Sequence, residues 1–262
     1  MPTAATPYTE PYLNSKRRAQ SRMSVAIMLP TYNEAENIET LVREIEGLKL
    51  DLTLLVIDDS SNDGTANIAR KLQEEFGNIS LISRPEKLGL GTAITAGFHH
   101  ILSQNEPPSH IIAMDADYSH NPRDIPRLVA AAKRGYDLVI GSRYVDGGKV
   151  VGSRSTRRII SRLANLIATV TIGARMYDCT SGFRCYSLNY VKDVMHNLHS
   201  QTYEIQIETL RQAKMNRFMV KEIPITFVDR KKGKSKLTTN EIQGFLTYIT
   251  KSVLGRLASL MR

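Results

Sequence analysis

Residues 25–45 read VAIMLPTYNEAENIETLVREI. The first six are nearly all apolar and too few for a helix, which is how a strand covered on both faces reads. A polar elbow, TYNE, follows. The remainder places Ile38, Leu41, Val42 and Ile45 at helical spacing. This strand–elbow–helix unit recurs downstream. LTLLVID (52–58) is a second strand, and DGTANIARKLQEEF (63–76) is a helix that Asp63 is placed to cap. ISLIS (79–83) precedes the helical LGTAITAGFHHIL (90–102). HIIAMD (110–115) precedes DIPRLVAAAKR (124–134), and YDLVIG (136–141) is a fifth strand. Strands alternating with helices predict an α/β fold, a mostly parallel Rossmann-like sheet with helices on both faces.

The second half is less regular. TRRIISRLANLIATVTIG (156–173) reads as a helix and MYDCTSGFRCY (176–186) as loop and strand. QTYEIQIETLRQAKMN (201–216) is helical, and RFMVKEIPITFV (217–228) reads as one strand. The final stretch, 241–262, puts Ile242, Phe245, Leu246, Ile249, Val253, Leu257, Leu260 and Met261 on one stripe of an amphipathic helix. Residues 1–22 are Pro- and Thr-bearing, then basic, and lack the apolar core of a signal peptide. The expected organisation is a disordered tail over 1–22, one domain over 23–239 and a C-terminal helix over 240–262. No window is apolar over the ~18 residues that a spanning helix needs.

The chain carries 35 basic and 26 acidic residues, a net charge of +9. Such a balance favours anionic partners. Arg154, Arg157, Arg158 and Arg162 cluster, and eight Lys or Arg stand against Glu241 alone from Arg230 onward. The second half is therefore either suited to something negative or simply a solvated basic face. Aromatic residues make up 6%, with no Trp. Without a base-stacking motif, nucleic acid is a poor partner. Cys179 and Cys185 are too few for a disulfide scaffold, which suits a reducing compartment.

In parallel sheets ligands bind beyond the carboxyl ends of the strands. TYNE, DDSSNDG and DADYSH all stand there. In the last, Asp115 and Asp117 flank Ala116 and point to the same side of an extended chain. At about 5 Å two such charges repel by ~3 kcal/mol at an effective dielectric near 20. One relief is a shared Mg2+ or Mn2+, which takes hard oxygen ligands and completes its shell with water and phosphate. The other has Asp117 capping the next turn and Asp115 paired with an arginine. Two phosphate-loop patterns fail. The third glycine position of GxGxxG after Gly89 and Gly91 falls on Ile94, and a P-loop ending at Gly233 would need glycine where Val228 stands.

Four motifs occur in order: PTYNEAENI (30–38), VIDDSSNDGT (56–65), RPEKLGLGTA (84–93) and MDADYSHNP (114–122). The set resembles the nucleotide-sugar glycosyltransferases of family 2, with the GT-A fold. GSRY (141–144), RRIISRLAN (157–165), TSGFRCY (180–186) and PITFVDRKKGKSKL (224–237) extend the resemblance to dolichyl- or polyprenyl-phosphate mannosyltransferases, over roughly residues 25–240. The resemblance implies that Pro30, Tyr32, Glu34, Asp58 and Asp59 line the nucleotide pocket. It also implies that Asp115 and Asp117 hold the metal, aided by Ser119 where some relatives carry Gln. Arg143, Arg157, Ser161, Arg230 and Lys236 match positions that handle the phosphates of donor and acceptor.

The implied reaction moves mannose from GDP-mannose to a polyprenyl or dolichyl phosphate. A phosphate monoester is already anionic at neutral pH, so it can attack directly if guanidinium groups position it. Single displacement with inversion is expected. Two rival readings stand beside it. One is the same fold with UDP-glucose or another donor. The other is a non-enzymatic basic binder, whose aspartates would be dispensable and whose binding would be strongly salt-dependent. The expected location is the cytosolic face of a membrane, held peripherally. The terminal helix could lie on anionic lipid, pack on its own domain or dock small membrane subunits.

Overall fold

The structure, a computed structural model, describes residues 24–152, 161–162, 165–169, 172–173, 176–229, 247–248 and 250. The N-terminal segment 1–23 lies outside the described residues, as does nearly all of the stretch 240–262 expected to be a C-terminal helix.

The strand–helix units form as the periodicity predicts. The strands are β1 (Val25–Thr31), β2 (Leu52–Asp58), β3 (Ile79–Ser83), β4 (His110–Ala113), β5 (Leu138–Ser142), β6 (Lys149–Val151), β7 (Arg184–Ser187), β8 (Val220–Pro224) and β9 (Thr226–Val228). The helices are α1 (Ile38–Glu46), α2 (Thr65–Phe76), α3 (Leu90–Leu102), α4 (Ile125–Ala132), α5 (Leu188–Val194) and α6 (Ile205–Met215). Seven strands form one sheet in the order β3-β2-β1-β4-β7-β5-β8; β6 and β9 pair apart, in parallel. All neighbours in the large sheet run parallel except β7, which is antiparallel to both β4 and β5.

The sheet separates two cores, and the period-2 alternation of the strands sorts residues between them. Val25, Ile27 and Leu29 of β1 face α1, α2 and α4, while Ala26 and Met28 face α3, α5 and α6. Helix α1 turns Ile38, Leu41, Val42 and Ile45 inward, each fully buried, and each such side chain contributes about 1.5–3 kcal/mol. On the other face Gly97 lets α3 press onto β1, since a Cβ there would meet Met28 Sδ at 2.6 Å. Both cysteines are free and buried. No helix among the described residues is long and apolar enough to cross a membrane.

Two local expectations change. RFMVKEIPITFV is two strands, because after Pro224 the chain leaves the large sheet and Thr226–Val228 joins β6 instead. The segment after β7, unassigned from sequence, is α5, capped by the Ser187 hydroxyl accepting the Tyr190 N–H.

Candidate active site

Three loops meet at the carboxyl ends of β1, β2 and β3. Asn33 N–H donates to Ser61 Oγ at 2.8 Å, and Asn33 Oδ1 accepts the Asn62 N–H at 3.0 Å. Glu34 N–H donates to Thr65 Oγ1, and Ala35 N–H to Asp63 Oδ2, both at 2.9 Å. Asp63 also accepts Thr65 N–H, so it serves the start of α2 from one residue before the cap position, which is Gly64. Asp58 accepts Thr31 Oγ1–H and the N–H and hydroxyl of Ser61. Asp59 accepts the amides of Leu88 and Gly89 at 2.9 Å and pairs with Arg84 at 3.0 Å. Both carboxylates are buried; they bind the loops to one another. Tyr32, at the edge of this rim, has Lys87 Nζ 4.5 Å from its ring centre. Pro30, the penultimate residue of β1, lies beside Ile57 in register.

Of five non-glycine residues with left-handed backbone among the described residues, three, Asn33, Ser60 and Tyr118, follow strands at this end of the sheet. Such residues store strain that the surroundings must hold, and they gather at functional sites. Tyr118 lies between Asp117 and Ser119. Its hydroxyl donates to Glu44 on α1 at 2.6 Å.

The DADYSH turn stands next to this rim. Asp117 is buried and accepts the Ser119 N–H at 3.0 Å, while Asp115 is partly open to solvent. Asp115 N–H donates to His120 Nδ1 at 3.4 Å, and the His120 ring stacks on Phe183 behind the turn. Val228 N–H donates to Ser119 O, which ties β9 to the same turn. Among the described residues no three acidic, His or Cys side chains gather as a metal group. The donor set is two carboxylates and a hydroxyl, and two details fit a hard cation there. Ser119 Oγ is buried and meets no hydrogen-bond partner among the described residues, an unusual cost unless another ligand supplies one. Gly182 also leaves room for the Asp115 carboxylate, whose Oδ1 would sit 3.0 Å from a Cβ at that position.

Beyond β5, Arg143, Tyr144, Arg162, Asn165, Leu166 and Met176 line a cleft of about 460 Å3. The Tyr144 ring centre is 5.2 Å from the Arg143 guanidinium and 6.0 Å from that of Arg162, and its hydroxyl donates to Ser161 Oγ at 2.9 Å. Arg143 is paired with buried Asp178. Burial disfavours both charges, but each holds the other ionised: the Asp178 carboxyl lies below the usual range and Arg143 above it. Asp115 adds attraction for Arg143 at longer range, and Gly182, which borders Asp115, is two residues from the Thr180 that Arg143 contacts. Arg157, Arg230 and Lys236 lie outside the described residues. Asp178, Thr180, Gly182 and Tyr144, which the sequence reading did not single out, stand against the candidate residues Arg143 and Asp115. Asp178 follows an exposed Tyr177 in a loop-like stretch, so only its place just before TSGF marks it.

Residues 26–195 match the sequence profile of "Glycosyl transferase family 2". The chain belongs to this family. Two curated relatives extend the match. A "Polyprenol monophosphomannose synthase" of Mycolicibacterium smegmatis is 36% identical over 219 residues, covering 83% of this chain and 82% of the relative. An "Undecaprenyl-phosphate mannosyltransferase" of Micrococcus luteus is 36% identical over 218 residues, 82% of this chain and 88% of the relative. Among solved structures, glucosyl-3-phosphoglycerate synthase from Mycobacterium tuberculosis, in complex with Mn2+, UDP and glucosyl-3-phosphoglycerate, superposes with a TM-score of 0.66 at 17% identity. That match covers 97% of this chain and 86% of that one. It confirms the GT-A fold. As a family 2 member the protein is a glycosyltransferase, and the mannosyltransferase resemblance read from its motifs is borne out by both curated relatives.

Proposed function

We propose that this glycosyltransferase moves a mannosyl group from GDP-mannose to the phosphate of a polyprenyl or dolichyl lipid, with inversion, giving a β-mannosyl phosphoryl polyprenol. One observation carries the reading. Two relatives that match more than four-fifths of the chain are both named for mannosyl transfer to a polyprenol or its phosphate. The site supports it chemically. The interlocked loops at β1, β2 and β3 build a pocket wall with Pro30, Tyr32 and Glu34, stiffened by Asp58 and Asp59, against which a nucleoside can lie. Arg143, and Ser161 through its bond to Tyr144, stand at the cleft beyond β5, where an acceptor phosphate would enter. Arg157, Arg230 and Lys236 are proposed as further phosphate contacts.

Asp115, Asp117 and Ser119 would hold a divalent cation, Mg2+ or Mn2+, which when bound supplies positive charge to the nucleoside diphosphate. The acceptor is already an anion at neutral pH, so no side chain has to remove a proton. The task left to the chain is to align the phosphate oxygen with the anomeric carbon and exclude water. Guanidinium groups suit this because their rigid forks orient a phosphate bidentately. The acceptor is a lipid, so the protein is placed peripherally on the cytosolic face of a membrane, with small membrane subunits as candidate partners.

The test offers radiolabelled GDP-mannose, UDP-glucose and UDP-GlcNAc to the purified protein with a polyprenyl phosphate in detergent. Mg2+, Mn2+ or EDTA is added in parallel. Label should enter lipid from GDP-mannose alone, vanish with EDTA and fall at least ~100-fold in Asp117→Asn. Transfer from another donor, an EDTA-insensitive reaction or an α-linked product would each overturn the corresponding part.

A further inference from the structure

Arg143 sits one residue past β5, and its donors converge on a single neighbour. Nε and Nη2 each donate to Asp178 at 2.7 Å, to opposite carboxylate oxygens, and the Arg143 backbone N–H donates to Oδ2 at 2.9 Å. Nη2 also reaches Thr180 Oγ1 at 2.7 Å. Two rings pack against the guanidinium, Tyr144 at 5.2 Å and Phe227 at 5.4 Å from centroid to Cζ. Among the described residues nothing accepts a hydrogen bond from Nη1, and Arg143 forms part of the cleft wall.

Asp178 is fixed just as firmly. Glu222 on β8 accepts the backbone N–H of Tyr177 at 2.9 Å and of Asp178 at 2.8 Å. Asn165 accepts Cys179 N–H at 2.7 Å and donates to Thr180 Oγ1 at 3.1 Å. Arg184, wholly buried, donates to Cys179 O and Ser181 O, both at 2.8 Å. The loop 177–181 is therefore pinned from β8, from the helix bearing Asn165 and from β7.

A buried ion pair is an inefficient source of stability, since desolvating two charges offsets most of their attraction. Its position at a substrate cleft suggests a different return. We propose that Asp178 is a positioning residue for glycosyl transfer. It fixes the Arg143 fork so that Nη1 is presented to the acceptor's phosphate, and Glu222 fixes Asp178 in turn. The inference rests on the phosphate-acceptor activity read above. A carboxylate on the far edge has a second effect: it shares the guanidinium's charge, so the phosphate oxygen is oriented while remaining nucleophilic.

The experiment is a cycle of Asp178→Asn, Arg143→Lys and the double variant, with separate KM values for donor and acceptor. Asp178→Asn should raise the acceptor KM about tenfold or more and leave the donor KM within about twofold. In the Arg143→Lys background, where the fork is already lost, adding Asp178→Asn should change the acceptor KM less than about twofold. A purely structural role predicts both KM values moving together, or effects that multiply, and either result overturns the proposal. Leu72→Ala, a core truncation on α2, is the control that loses stability without the selective KM change. If breaking the buried pair prevents folding, Glu222→Gln replaces it and should raise the acceptor KM alone by roughly threefold; no change there also overturns the proposal. If the wild type transfers no sugar, the activity reading fails, and calorimetric binding of farnesyl phosphate against farnesol decides the inference. Asp178→Asn should then abolish a wild-type preference for the phosphate. Equal binding of both by the wild type, or a preference that survives the substitution, overturns it.

Discussion

The Tyr118 hydroxyl on the DADYSH turn donates to Glu44 on α1 at 2.6 Å, holding a left-handed tyrosine between Asp117 and Ser119. Burial first, then the hydrogen bond to the Glu44 carboxylate, push the phenol well above its ordinary range, which keeps it a donor at neutral pH. Tyr118→Phe keeps the ring and removes the bond. The expected loss is about 1–2 kcal/mol, a few degrees in Tm, together with a higher Mn2+ concentration for half-maximal activity. Thermal melts and metal titration check both; an unchanged metal requirement would show that the turn holds without Glu44.

Gly182→Ala separates geometry from stability. The glycine's backbone lies where any residue is allowed, and the nearest atom to the added Cβ is Asp115 Oδ1 at 3.0 Å. The flexible carboxylate should yield by a few tenths of an ångström, leaving Tm nearly unchanged. Nucleotide affinity in the presence of Mn2+ should fall about tenfold, as measured by calorimetry with GDP.

Ser119→Ala removes a buried hydroxyl that has no partner among the described residues. If the hydroxyl faces only protein, its loss should be neutral or stabilising by up to about 1 kcal/mol. We expect that stability gain without metal, and weaker activation by metal than in the wild type. Equal activation would remove Ser119 from the ligand set.

Asp63 gives the acid limb of the stability curve a testable component. Burial opposes its charge, but hydrogen bonds from the Thr65 hydroxyl and the amides of Ala35 and Thr65 outweigh this and hold the carboxyl below the usual range. A depressed carboxylate stabilises the fold above its unfolded pKa near ~3.9, and the gain is lost as pH falls through the folded value. Asp63→Asn should therefore lower stability at pH 6, and the gap from wild type should narrow toward pH 3 in urea titrations.

Much of this was legible because the strands are short, apolar runs bounded by turns. The same reading put the paired aspartates at a strand end, where they stand. What it missed depends on contacts distant in sequence. The strand expected within MYDCTSGFRCY is RCYS, but nothing local tells it to run against its neighbours. Pro224 ends β8 only because β6 waits to receive the next residues. Asp178 gains its meaning from Arg143, whose guanidinium reaches it only after β5 and β7 have paired. Asp58 and Asp59 illustrate the converse: the sequence located them, but their hydrogen bonds to Ser61, Leu88 and Gly89 are visible only in three dimensions.

The place of β7 has a consequence for biosynthesis. Strands β1 to β4 can assemble as the chain leaves the ribosome, each finding a neighbour already made. β5 cannot, because its partners β7 and β8 both come later, with β7 between it and β4. Until Ser187 has emerged, the nascent protein carries an open edge on β4 and a stranded β5, both able to pair with foreign strands. A chain stopped after Ser142 should therefore be a client for chaperones, whereas one stopped after α5 closes the gap.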